Sequence, residues 1–260
     1  MIWTKEEAIA AARAYQCLHA SIDDVSVEPG TFDHTITDPP YSPRTQNNTR
    51  RGKQTDTGIS DVMPLGFDPI NAAKIQRWAG WIARATRRCA LVFSDHETSM
   101  VWANSLEAAG MDYLRAMIWV RTGDVELAVE KPKHSGAPQF TGDRPAAGHE
   151  VIVLAHARGV RPRWNGHGTT GVYPAPVVTG ADRLHTTQKP LSLMMDLVHD
   201  FCREGDTVVD PFAGSGTTLA ACKYLHIACA GIELDRNHAS LAARRAAGAT
   251  PLQQHAKYRP

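Results

Sequence analysis

Val208-Val209-Asp210-Pro211-Phe212-Ala213-Gly214-Ser215-Gly216-Thr217-Thr218 is an apolar run, an acid, a glycine-rich turn and the start of a helix. With Asp206-Thr207 before them, Val208 and Val209 read as a buried strand, and Leu219 to Tyr224 reads as the helix behind the turn. Glycine lets backbone amides approach a ligand closely. The strand expected at 227–232 ends at Glu233, about twenty residues on, where ribose diols are gripped in strand–turn–helix nucleotide sites. The turn is not G-x-G-x-x-G, and no Gly-Lys-Ser/Thr follows its glycines. Without that lysine a triphosphate is disfavoured. A ribose-bearing cofactor without phosphate fits better, and S-adenosylmethionine is the candidate. A glycine turn needed only for packing is the alternative, and the placement of Glu233 argues against it.

Outward from this unit, strand and helix alternate. Thr4 and Glu7 form a capping box for a helix from Lys5 to about His19. A strand ends at Thr35-Ile36-Thr37. Asp68-Pro69 opens a helix reaching Thr86, and Ala90-Leu91-Val92-Phe93 reads as a buried strand. Glu97–Ala109 is a helix closed by Gly110, and 113–120 and 151–154 are strands. A Met and Leu stripe marks a helix from Pro190 to Phe201, and Arg236 to Ala247 is the last. The alternation predicts an α/β fold around a mostly parallel, doubly wound, Rossmann-like sheet. The stretches 42–62, 121–148 and 158–184 lack a sustained period and stand as loops or insertions around a core strand at 150–155. The first reads as a flap. The organisation expected is one domain, 1–260, with a catalytic half (1–120), the insertions (121–184) and a cofactor half (185–247).

The chain has 260 residues, 43% hydrophobic and 21% charged, with a formal net charge of +1. This is ordinary for a soluble globular protein and is not the footprint of a simple nucleic-acid coat protein. Basic side chains still cluster: Arg44, Arg50, Arg51 and Lys53, then Arg158, Arg161 and Arg163. The five cysteines form no C-x-x-C pair, which points to reduced thiols in a cytoplasmic setting and to no zinc site. No apolar run is long enough for a membrane span, and no secretory signal is visible at the start.

The strand ending at Thr37 runs into Asp38-Pro39-Pro40-Tyr41. Two prolines end the ladder and stiffen the turn. A carboxylate, a rigid backbone and an aromatic face at one strand end suit a flat nitrogenous ring. On their own the four residues serve equally well as a proline-rich loop.

Taken together the motifs resemble the amino-group DNA methyltransferases. Asp38-Pro39-Pro40-Tyr41 is similar to that family's catalytic motif, and Asp210 to Thr218 to its cofactor motif. His185-Thr186-Thr187-Gln188-Lys189-Pro190 resembles the motif just before it, with Thr186 in place of the usual proline. Gly231-Ile232-Glu233-Leu234-Asp235 resembles the ribose-binding strand. Ile118-Trp119-Val120-Arg121 and His149-Glu150-Val151-Ile152 resemble weaker framework motifs. The catalytic motif comes first, which is the circularly permuted order of the β class. The resemblance implies the class I methyltransferase fold, S-adenosylmethionine as cofactor and DNA as partner. It implies that Asp38 and the Pro39 carbonyl, with Pro40 stiffening the turn, hold the target amine, and that Tyr41 stacks on the flipped base. Asp210, Pro211, Phe212, Gly214, Gly216, Thr217, Thr218 and Glu233 would cradle the cofactor, with Asp38 beside it and Thr187 and Lys189 at its methionine end. His185 reads as a turn residue. The arginine clusters would grip phosphates. Asp at the head of the motif favours adenine N6, with cytosine N4 as runner-up and a non-catalytic DNA-binding module as the reading of another class. Restriction–modification in a bacterium or phage is the implied setting, and a homodimer stays open.

Overall fold

The computed structural model describes residues 1–43, 45, 70–122, 148–178 and 188–249, with the backbone alone of 54–55 and 58–59. The strands are β1 (Ile2–Trp3), β2 (Cys17–His19), β3 (Ser26–Val27), β4 (His34–Thr37), β5 (Gln54–Thr55), β6 (Gly58–Ile59), β7 (Cys89–Ser94), β8 (Met111–Thr122), β9 (His149–Ala157), β10 (Val172–Pro176), β11 (Thr207–Asp210) and β12 (Ala228–Glu233). The helices are α1 (Lys5–Arg13), α2 (Ala72–Ala85), α3 (Ser99–Ala108), α4 (Leu191–Phe201), α5 (Thr217–Tyr224) and α6 (Arg236–Gly248).

Eight strands form one sheet in the order β10-β8-β9-β7-β4-β11-β12-β2. Only β9 runs antiparallel to its neighbours β7 and β8. The sheet is therefore mostly parallel and doubly wound, as the alternation predicts. Both faces are covered, so the strands are apolar on both sides. Leu91, Phe93, Ile152 and Val208 pack on one face with Leu193, Val198 and Leu219 of α4 and α5. Ala90, Val92, Val151 and Val153 pack on the other with Ile75, Ile82, Trp102 and Leu106 of α2 and α3. Val209 and Ile232 meet Ala8 and Ala12 of α1 there.

Three departures from expectation have a local reason. The first helix stops at Arg13, because Tyr15 takes φ 52° and turns the chain into edge strand β2, which pairs with β12. The helix expected from Asp68 starts at Ala72, where Asn71 Oδ1 accepts from Lys74 N at 2.9 Å. Within the expected irregular stretch 158–184 lies β10, hidden by Pro174 and Pro176. It is an edge strand paired only with β8, the place where a sheet tolerates proline.

After β4 the chain crosses through α2 to β7 on one side; after β11 it crosses through α5 to β12 on the other. β4 and β11 are neighbours, so the crossovers diverge between them. That divergence opens a crevice at the carboxyl ends of the strands, where ligands bind in open α/β sheets. Among the described residues no helix is long and apolar enough to cross a membrane. Nor do three or more His, Cys, Asp or Glu side chains there group to hold a metal ion.

Candidate active site

The crevice receives Asp38–Tyr41 from β4 and the glycine turn from β11. Thr37 Oγ1 donates to Asp210 Oδ1 at 2.7 Å and ties the two strand ends together. Asp210 also accepts from Phe212 N at 3.1 Å and from Thr218 Oγ1 at 2.5 Å. Burial raises its carboxyl to about 6, and the three donors only partly offset this. Asp210 and Thr218, expected on the cofactor, are hydrogen-bonded to each other and brace the turn from beneath. Thr217 does likewise: its buried hydroxyl accepts from Arg245 of α6 at 2.7 Å.

The two glycines have different reasons. A Cβ on Gly216 would lie 2.6 Å from Ala242 Cα, so this glycine lets α5 and α6 pack closely. A Cβ on Gly214 would meet nothing nearer than Phe212 O at 4.0 Å, and its φ of +51° is left-handed. Gly214 therefore borders open space. Pro211 is buried, whereas Phe212 keeps part of its surface beside Trp78, with ring centroids 4.7 Å apart. Glu233 is aimed by the backbone: Gly214 N donates to Oε2 and Asp235 N to Oε1, both at 2.8 Å. Each oxygen keeps further acceptor capacity, which suits a diol.

Asp38 is not alone at its strand end. Lys189 Nζ donates to Asp38 Oδ2 at 2.5 Å and lies 3.2 Å from Glu150 Oε2. Tyr41 donates its hydroxyl to Glu150 Oε2 at 2.6 Å, and Arg121 pairs with Glu150 Oε1. The Lys189 ammonium also sits 5.0–5.9 Å from the ring centroids of Phe93, Tyr41 and Trp119, within cation–π reach. Burial opposes the Lys189 charge, but Asp38 and Glu150 overcome it and hold its pKa above the ordinary lysine value. Burial pushes the Asp38 carboxyl up, against the pull of Lys189. The Tyr41 phenol is pushed far up by burial and by the two carboxylates. Lys189, expected at the methionine end of a cofactor, is committed to the carboxylates. Among the described residues Asp38 Oδ1 is buried and has no hydrogen-bond partner, although the side chain as a whole keeps 23% of its surface.

The turn after Tyr41 is pinned. Ser42 N donates to Asp95 Oδ2 at 2.8 Å, and Ile70 N to Tyr41 O at 3.1 Å, so both ends of the 43–69 stretch meet beside the site. Arg44, Arg50, Arg51 and Lys53, with His185 and Thr187, lie outside the described residues. Arg158, Arg161 and Arg163 fall at the opposite end of the sheet. Because β9 is antiparallel, its last residues pair with the first residues of β7 and β8, Cys89 with His156 and Met111 with Ala157. There Arg158 binds Asp112 Oδ1 at 2.9 Å and Arg163 binds Asp206, while Arg161 is exposed. The structure does not bring this cluster to the crevice.

Sequence reasoning missed Glu150, Arg121, Trp119, Phe93 and Asp95 as site residues. The signal for three of them lay in the framework motifs 118–121 and 149–152, whose charged members stand out in otherwise apolar strands. Burial raises the thiols of Cys17, Cys89, Cys202 and Cys222.

A family model described as DNA methylase, of the N6/N4 group, matches residues 156–244. The type II methyltransferase M.HpaI of Haemophilus parainfluenzae is 39% identical over 61 residues, 24% of this chain and 19% of that protein. The alignment therefore spans well under half of that relative's length. In fold, the M1.HpyAVI–SAM complex matches with a TM-score of 0.62 at 22% identity, covering 88% of this chain and 98% of that one. The PvuII DNA methyltransferase matches with a TM-score of 0.60 at 11% identity, covering 88% and 85%. Residues 156–244 are thus similar in sequence to the N6/N4 DNA methylases, and the chain over most of its length is similar in fold to solved methyltransferases.

Proposed function

We propose that the chain transfers a methyl group from S-adenosylmethionine to the exocyclic amine of a DNA base, adenine N6 in preference to cytosine N4. The observation that carries this reading is Asp38 Oδ1, a buried acceptor without a donor, beside an aromatic ring at the switch point of the sheet. An amine N–H is the donor that would satisfy it.

The cofactor fits the residues present. Gly214 leaves room at the turn, and Glu233 presents two oriented oxygens for ribose hydroxyls. The basic side chain beneath the turn, Arg245, is engaged with Ser215 and Thr217, so no phosphate-binding charge faces the cradle there. M1.HpyAVI was solved with this cofactor, in the same fold. When bound, S-adenosylmethionine supplies an electrophilic methyl group.

This chain's residues do the rest. Asp38 Oδ1 and the Pro39 carbonyl accept hydrogen bonds from the two amine N–H groups and aim the nitrogen lone pair. Tyr41 stacks on the base. Extruding a base from a duplex costs a few kcal/mol, and stacking returns about 1–3 kcal/mol. Positioning supplies much of the rate. After transfer the nitrogen is cationic, and Asp38 Oδ1 takes a proton from it. Adenine is preferred because Asp heads the motif. PvuII, named as cytosine-N4-specific, shares the fold and keeps cytosine N4 as the second reading. The setting that follows is the cytoplasm of a bacterium.

The test is nucleoside mass analysis of DNA incubated with the chain and S-adenosylmethionine. N6-methyladenine is expected. N4-methylcytosine would replace the adenine assignment, and no methylated nucleoside would end the proposal. In the same preparation Glu233→Ala should weaken cofactor binding about 10–100-fold, the loss of charge-assisted hydrogen bonds. Unchanged affinity by calorimetry would remove Glu233 from the site.

A further inference from the structure

We propose that Glu150 is the positioning residue of the Asp38 site: it holds Tyr41 and Lys189 so that Asp38 Oδ1 stays open to the incoming amine. The inference rests on the function proposed above.

Glu150 opens β9 at the catalytic edge and is buried. Three groups converge on it: the Tyr41 hydroxyl, the Lys189 ammonium and the Arg121 guanidinium. Asp38, Lys189, Glu150 and Arg121 thus form a chain of alternating charge with no net charge. Buried ions are tolerated when paired in this way. An ammonium carries three N–H donors. Lys189 gives one to Asp38 Oδ2 and is drawn sideways by Glu150. Without the Glu150 charge, its nearest remaining carboxylate is Asp38, whose Oδ1 lacks a donor. Lys189 would then turn onto Oδ1 and cap the atom the amine needs. Tyr41 would also hold only a neutral acceptor in place of the charged one that fixes its ring.

The placement of Arg121 extends the link. Arg121 N donates to Gly148 O at 2.9 Å, and Trp119 pairs with Glu150, so the charged chain starts where the polypeptide leaves β8 and re-enters β9. A shift of either strand end would reach Asp38 through Glu150.

The test uses the full chain with S-adenosylmethionine and DNA. Glu150→Gln keeps the shape and an acceptor for Tyr41 and removes only the charge. It should lower kcat about 10–100-fold, the cost of a misplaced reacting group. Its cofactor Kd should stay within about threefold of wild type, and Glu150→Asp should recover part of the loss. A Glu150→Gln kcat within about threefold of wild type would overturn the proposal. A second readout needs no turnover. The 13C-tyrosine resonance missing from Tyr41→Phe belongs to Tyr41, and in Glu150→Gln it should titrate at lower pH. If wild type methylates no DNA, the proposed function fails and this arm alone decides: an unmoved Tyr41 titration overturns the coupling, and a lowered one upholds it.

Discussion

At the edge where the parallel strands begin, Asp33 and Asp206 meet Arg87, Arg88, Arg163 and His34; at the edge where they end, Asp38 and Glu150 meet Lys189 and Arg121. The ingredients match and the outcomes differ. Asp33 accepts from Arg87 on one oxygen, at 2.6 Å, and from Thr207 N and Oγ1 on the other, at 2.9 and 3.1 Å. Burial opposes its charge, but these donors win and hold its carboxyl below the ordinary range. Asp206 gathers His34, Arg203 N and Arg163 on its Oδ2, and against burial these partners also hold its carboxyl below the ordinary range. Asp38 has one ion-pair partner on one oxygen and none on the other, and burial pushes its carboxyl up. Among the described residues, the buried atoms left without partners at the first edge include nitrogens of His34, Arg88, His156 and Arg163, and no carboxylate oxygen. At the second, Asp38 leaves an acceptor. A carboxylate saturated with donors is a brace, and one that keeps a buried acceptor calls for a ligand that donates.

The largest stability effect should fall on the bracing edge. Asp33→Ala leaves Thr207 N and Oγ1 without their acceptor at a buried strand end and should cost about 1–3 kcal/mol in urea denaturation, the range for an unsatisfied buried donor. Its kcat per folded molecule should stay near wild type. A loss below about 1 kcal/mol would show that the donors around Asp33 do not brace the sheet.

Asp210 sharpens the boundary between the two kinds of carboxylate. Its folded pKa of about 6 lies above the ordinary value of 3.8. Between those values the native state holds a proton that the unfolded chain has lost. Its contribution to stability therefore falls as pH rises from about 4 to 6, by about 3 kcal/mol in all, and stays low above that window. Asp210→Asn should remove this slope from the stability–pH curve. An identical slope in the variant would mean that another group titrates there.

The smallest effect is expected from the exposed arginines at the bracing edge. Arg158→Ala with Arg161→Ala should change DNA affinity by less than about 0.5 kcal/mol and leave its salt dependence as in wild type. A tenfold loss of affinity would place DNA at the wrong end of the sheet and break the comparison.

The sequence made one edge readable and left the other silent. Glycines, prolines and a motif order announce the crevice, because a turn that admits a ligand restricts residue type. Thr35-Ile36-Thr37 read as a strand on that basis, and β4 lies there. Strand direction carries no such mark. Nothing local shows that β9 runs backwards, so Arg158, Arg161 and Arg163 looked like phosphate contacts. Contacts over long separations were equally silent: Lys189 reaches Asp38 across 151 positions, and Tyr41 reaches Glu150 across 109. β10 was lost because its prolines imitate a loop. The braces at Thr217 and Thr218 read as ligand contacts because a threonine hydroxyl looks the same whichever way it turns.

The central claim is that Asp38 Oδ1 receives the amine and the glycine turn holds the donor independently. Single-turnover methyl transfer by Asp38→Ala, measured beside its affinity for S-adenosylmethionine, tests this most directly. Transfer should fall by about a thousandfold or more, about 4 kcal/mol of transition-state stabilisation, while cofactor affinity stays within about threefold. Near-normal transfer in Asp38→Ala would contradict the account.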